Sequence, residues 1–240
     1  LFDPRNGLRR GRLLSPGKRL AALDLSTDGK LAAVAYENGL VRLAGTSPFK
    51  TKRGFSWYAR STPVRVRVDP RKGKVVVAES SGVITHVDAD QGKMLYRQRS
   101  RAKLLEDVAL SRDGQLLASA SADRTVRLWN GRTGKLLRVL TGHRDEVYGV
   151  AFSPDGGQLA STSFDGTIRL WKLEGGRIGD VQVLRGPQGY AFRLAFSPDG
   201  ARLAAARQLT EKTSEIELWD VTTRRLLKRL RGHKGLVNAL

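Results

Sequence analysis

A glycine-centred turn recurs five times along the chain, and its spacing constrains the fold more than any other feature. The turn glycines are Gly29, Gly73, Gly114, Gly156 and Gly200, separated by 44, 41, 42 and 44 residues. An alternating apolar segment leads into each turn, and a strand of small residues follows it. A second tight turn then leads to a strand ending near Leu-Trp. Three copies align directly: VALSRDGQLLASASADRTVRLWN (108–130), VAFSPDGGQLASTSFDGTIRLWK (150–172) and LAFSPDGARLAAARQLTEKTSEIELWD (194–220). Two more, LDLSTDGKLAAVAYENGLVRLAG (23–45) and VRVDPRKGKVVVAESSGVITHVD (66–88), keep the frame with Leu43 and Val87 in the tryptophan position.

Each copy reads as four short strands. In the fourth, EVYGVAFS alternates apolar and non-apolar positions, and Ser153-Pro154-Asp155-Gly156 supplies a turn. QLASTSF is the second strand, Asp165-Gly166 a hairpin turn, TIRLW the third strand and VQVLRG the fourth. Helical periodicity is absent, so the fold class is all-β. A four-stranded unit of this length cannot close its own core, but neighbours packed face to face can.

The framing Gly142-His143 … Leu170-Trp171, with Gly232-His233 opening another copy, resembles WD-repeat (WD40) β-propellers in the style of bacterial members. The resemblance runs through essentially the whole chain. It implies a β-propeller of four-stranded antiparallel blades: five complete blades near 18–60, 61–99, 100–143, 144–187 and 188–232, plus partial blades at 1–14 and 233–240. The expectation is one propeller domain over 1–240, a piece of a longer chain whose remaining blades would be its first partners.

Within that family frame, His143, Ser161, Asp165 and Trp171 look like a structural hydrogen-bond relay from a loop histidine through a turn carboxylate to a strand hydroxyl and an indole. Asp123 and Trp129 repeat the spacing of Asp165 and Trp171 without a histidine, and Trp219 keeps the indole. A His-Asp-Ser set also fits a nucleophile. Ser161 falls mid-strand, however, without an elbow turn or oxyanion donor, so no catalytic residue is assigned and the chain reads as no enzyme. The three histidines are far apart in sequence and cysteine is absent, so no metal site is expected. The hairpin DADQGK (88–93) resembles a quinoprotein-type repeat, but one copy in five does not make a cofactor site, and none is assigned.

Tyr148, Phe164, Tyr190 and Phe192 fall where the family's ligand-contacting positions lie, at the start of the innermost strand and before the hairpin-turn Asp. Packing as local core is the competing reading for these aromatics. Arg193 and Arg207, with Arg65, lie near the same strands and suit an acidic peptide or phosphate. Lys and Arg total 43 against 23 Asp and Glu, a net charge of +20, spread as +8, +4, +2 and +6 over successive sixty-residue quarters. Many of these cations fall in fourth strands, where charge blocks edge-to-edge pairing. The expected function is a non-enzymatic protein-interaction scaffold or sensor propeller, part of a larger regulatory or signalling protein, cytoplasmic, with protein or peptide partners. The alternative is a basic propeller binding nucleic acid or another polyanion through counterion release, with aromatics interleaved at KTKRGFSWYAR (50–60). No apolar stretch approaches the ~18 residues of a membrane span.

Overall fold

The Ser-x-Asp-Gly turns explain why the strands begin and end where they do. In a computed structural model of the chain, Ser153 Oγ donates to Asp155 Oδ1 (2.5 Å) and accepts from the Gln158 amide (2.9 Å). Gly156 N–H closes the turn on Ser153 O at 2.9 Å, with φ at 73°. That left-handed conformation suits a residue without Cβ. Ser111, Asp113 and Gly114 repeat the arrangement, as do Ser197, Asp199 and Gly200. The structure describes residues 19–26, 29–45, 56–69, 73–88, 91–100, 104–174, 177–186 and 189–237.

Strands between such turns pair in sequence order, giving five antiparallel four-stranded sheets, or blades, among the described residues. The first holds β1 (Leu20–Leu25), β2 (Leu31–Tyr36), β3 (Leu40–Gly45) and β4 (Ser56–Tyr58); the second β5 (Pro63–Asp69), β6 (Lys74–Glu79), β7 (Val83–Asp88) and β8 (Lys93–Arg99). The third holds β9 (Leu105–Leu110), β10 (Leu116–Ser121), β11 (Val126–Asn130) and β12 (Leu136–Leu140). The fourth is β13 (Val147–Phe152), β14 (Gln158–Ser163), β15 (Thr167–Glu174) and β16 (Arg177–Arg185). The fifth is β17 (Tyr190–Phe196), β18 (Arg202–Thr210), β19 (Thr213–Asp220) and β20 (Leu226–Lys234). The all-β class and the four-stranded antiparallel blade are both present. The fifth blade runs past residue 232, because His233 and Lys234 pair with Ser214 and Thr213 in β20. Residues 1–14, and the Lys50–Phe55 part of the aromatic-basic segment, lie outside the described residues.

The chain divides into two compact units, Leu1–Arg101 and Ala102–Leu240. In the first, small and β-branched side chains from the two blades interlock: Ala33, Ala35, Val41 and Leu43 against Val66, Val68, Val75 and Val77. In the second, Trp171 and Leu173 of the fourth blade pack with Leu128, Val126 and Leu140 of the third. Trp219 and Leu203 of the fifth blade likewise meet Ile168 and Leu170 of the fourth. Alanine and serine along the second strands keep facing sheets close, and the tryptophans fill the wider space beside them.

Register fixes which residues are equivalent. Leu117, Leu159 and Leu203 stand opposite Trp129, Trp171 and Trp219. Val75 stands opposite Val87 in the second blade. In the first blade, five residues past the hairpin glycine is Ala44 opposite Ala32, so Ala44 and not Leu43 holds the tryptophan register. Among the described residues, no helix is long and apolar enough to cross a membrane.

Candidate functional site

The fourth blade brings its four polar candidates into one line. Trp171 Nε1 donates to Ser161 Oγ at 2.9 Å, and Ser161 Oγ lies 2.7 Å from His143 Nε2. His143 Nδ1 lies 3.0 Å from Asp165 Oδ2. An ionised carboxylate only accepts, so Nδ1 carries the proton and Nε2 accepts from the serine hydroxyl. Every donor then has an acceptor only if the imidazole is neutral. Burial pushes the His143 pKa below its ordinary 6.5, against the pull of Asp165 and with help from Arg169. Burial pushes the Asp165 carboxyl up. Hydrogen bonds from His143, Thr167 and the Arg144 and Thr167 amides outweigh that and hold it well below the usual carboxylate range.

These are also the contacts of a serine nucleophile with its base, but the surroundings are wrong for acyl transfer. Ser161 is fully buried. The indole N–H occupies its oxygen from one side and His143 from the other, leaving no approach for a substrate carbonyl. The set locks a hairpin to a strand.

The third blade keeps half of this. Trp129 Nε1 donates to Ser119 Oγ at 3.0 Å, while Asp123 turns to Arg127 at 2.8 Å. Arg124 holds φ at 71° in this hairpin, where Gly39, Gly82 and Gly166 sit in the other tight hairpins. In the fifth blade, Trp219 Nε1 donates to Glu217 Oε2 (3.2 Å). Glu217 is paired in turn with Arg207, Nε to Oε1 at 3.0 Å and Nη2 to Oε2 at 3.1 Å. Both side chains are fully buried, and Arg207 Nη1 also donates to Gly166 O and Gly189 O. Arg207, expected as a partner-binding residue, is thereby corrected to an internal clamp. A charge in that site is stable only when paired and hydrogen-bonded, so it is not available to a ligand. Gly186 makes room for the clamp, since a Cβ there would meet Arg207 Nη2 at 2.2 Å.

Sequence reasoning missed the position that Arg207 shares with other blades, the last core residue before the hairpin. Tyr36, Glu79, Ser121, Ser163 and Arg207 all occupy it, each fully buried. Ser163 Oγ donates to Asp145 O, and Glu79 Oε2 accepts from the amides of Arg60 and Ser61. In the tight hairpins it is recognisable only by counting three residues back from the turn glycine or Arg124, because its residue type changes from blade to blade. The second blade also buries His86 against Asp69 at 3.0 Å, in place of an indole relay.

The four aromatic candidates do come together. Tyr148 and Phe164 have ring centroids 5.0 Å apart, Tyr148 and Phe192 5.0 Å, Phe164 and Phe192 5.5 Å, and Phe164 and Tyr190 4.0 Å. Tyr190 is 44% exposed and the other three are half-buried. Arg193 Nη1 donates to Tyr148 O at 2.9 Å, tying the fifth blade to the fourth beneath the rings. Thr162 Oγ1 donates to Phe192 O (3.0 Å) at the same junction. Gly149 permits this approach, since a Cβ there would meet Phe192 O at 2.7 Å. The aromatics are thus partly core and partly surface. Among the described residues, no group of three or more His, Asp or Glu could hold a metal ion.

Four-stranded antiparallel meanders repeated with one register, each of the last three tethering a buried indole, define a protein of β-propeller blades. Residues 100–130 and 134–172, which span the third blade and most of the fourth, match the WD40 family, described as WD domain, G-beta repeat. The chain is 36% identical over 84 residues to an uncharacterized WD repeat-containing protein of Synechocystis, covering 35% of this chain and 24% of that one. It is 30% identical over 125 residues to the U3 snoRNP-associated protein-like YAO of Arabidopsis thaliana (51% of this chain, 24% of the relative). Over 47 residues it is 47% identical to the Notchless protein homolog of the same plant (20% and 10%). The matches thus span a quarter or less of each relative's length.

Proposed function

We propose that this chain is a non-enzymatic protein-interaction scaffold, part of a larger regulatory protein, whose working face is the aromatic end of the fourth and fifth blades. One observation carries the reading: four aromatic rings from two blades form a continuous cluster that keeps Tyr190 44% exposed. Aromatic anchors set in a packed surround are the side chains that dominate protein interfaces. Proteins built from this repeat generally serve as binding platforms, which supports the same reading. Tyr190→Ala removes the exposed ring and leaves the half-buried three in place. Affinity-captured partners are expected to fall about tenfold or more while the melting temperature holds. Undiminished capture by a folded Tyr190→Ala chain would move the working face elsewhere.

A second reading rests on the outer strands. Lys93 and Arg99 of β8 and Lys228, Arg229 and Arg231 of β20 are exposed, and the relative YAO is named for its association with U3 snoRNP. A polyanion held along either strand predicts affinity that falls steeply with salt, the slope set by the phosphates neutralised. A salt-independent affinity, or none near physiological ionic strength, removes that reading.

A further inference from the structure

Three carboxylates stand beside the aromatic face of a chain whose net charge is +20. The loop and strand entering it carry Asp145 and Glu146, and Glu106 comes from the third blade. Asp145 is exposed, and Glu106 and Glu146 are half-exposed. Tyr148 Oη donates to Glu146 Oε2 at 2.8 Å. Burial, then Glu146, Glu106 and Asp145 in turn, raise the Tyr148 hydroxyl pKa, so the field of all three carboxylates reaches the rings. The nearby cations are largely committed elsewhere. Arg193 donates to the Tyr148 carbonyl, and Arg207 is buried against Glu217. Arg144 is exposed next to Asp145.

Ring faces carry negative electrostatic potential and attract a cation placed over them, more so where carboxylates stand near and water is partly excluded. An acidic peptide would meet like charge here. We propose that the aromatic end of the fourth and fifth blades receives a basic peptide segment, with an Arg or Lys side chain on the rings and Glu106, Asp145 and Glu146 as its counter-charges. This rests on the platform reading above and names the partner's chemistry at that face.

Three labelled Gly-Ser peptides test it by fluorescence anisotropy, identical except for a central pair of arginines, glutamates or phenylalanines. The net charge of the chain favours the glutamate peptide wherever binding is non-specific, so preference for arginine has to come from a local site. The expected result is saturable binding of the arginine peptide, weakened about tenfold by Tyr190→Ala and about fivefold by Asp145→Asn/Glu146→Gln. Both variants change partly or fully exposed groups, and their melting temperatures are measured alongside. If the phenylalanine or glutamate peptide binds best and Tyr190→Ala weakens it, the platform reading stands and the cationic inference falls. If Tyr190→Ala changes no peptide's affinity, both fall.

Discussion

The fourth and fifth blades solve the same problem with different chemistry. Each buries a tryptophan against its neighbour and has to satisfy the indole N–H in a site closed to water. The fourth uses a neutral, directional line: indole to Ser161, Ser161 to His143, His143 to Asp165. The fifth sets Glu217 beneath the indole and neutralises it with Arg207, whose remaining donors reach backbone carbonyls of both blades. The scaffold therefore constrains hydrogen-bond satisfaction at this depth and leaves residue type free. The two solutions ought to fail differently, one by losing hydrogen bonds and the other by stranding a charge.

The largest effect is expected from Glu217→Ala, which leaves the Arg207 guanidinium buried and unpaired. Chemical denaturation should register a loss of about 3–5 kcal/mol. The double change Arg207→Met/Glu217→Leu strands no charge and should recover most of that loss, leaving the Trp219 N–H and the Gly166 and Gly189 carbonyls without these partners. If the double variant is as unstable as the single one, the clamp does more than balance charge. His143→Ala in the fourth blade should cost less, about 1–3 kcal/mol, because it leaves one hydroxyl and one partly solvated carboxylate short of partners.

Acid should separate the blades further. An unfolded imidazole takes its proton near pH 6.5, while His143 in the fold is held below that value by burial. The unfolded chain then binds more protons, so the stability His143 contributes is complete above pH 6.5 and falls as pH drops through the folded value. Asp165, held below its ordinary 3.8, adds a further loss at pH values below that. Denaturation midpoints should therefore decline as pH falls through the range below about 6.5 in the parent chain and flatten in His143→Asn. A parent profile that stays level across that range would mean the imidazole is not kept neutral. The smallest effect is expected in the third blade, where Arg124→Gly relieves a left-handed φ at the turn and should gain about 0.5–1 kcal/mol, read as a higher melting temperature.

The blade itself was legible in the sequence because its turns are local. A Ser-x-Asp-Gly module names its own hydrogen bonds, and strand lengths follow from the gaps between modules. The fourth-blade relay was legible for a related reason: His143, Ser161, Asp165 and Trp171 keep distinct side-chain types at fixed offsets from two turns. Arg207 was misread because the fifth blade lengthens its hairpin through Thr210–Thr213, which removes the glycine that marks the count. Nothing local says that an arginine in LAAARQL points inward; Glu217, ten residues on, supplies the reason. The tryptophan register of the first blade slipped by one because that copy has no indole to mark it: Leu43 repeats the place of Leu128 and Leu170, and the small Ala44 follows in the tryptophan position. The aromatics were placed correctly along the chain, but their ring contacts depend on how two blades meet across Gly149 and Thr162, which no single repeat encodes.

The account separates parts that hold the blades from a face that meets partners, and partner capture by Ser161→Ala and Tyr190→Ala chains, run side by side with melting curves, tests that division most directly. Ser161→Ala should melt earlier yet retain its partners at temperatures where it stays folded. Tyr190→Ala should melt with the parent and lose them. The reverse pattern, with partners lost through Ser161 and kept without Tyr190, would contradict the account and make the buried serine part of the working site.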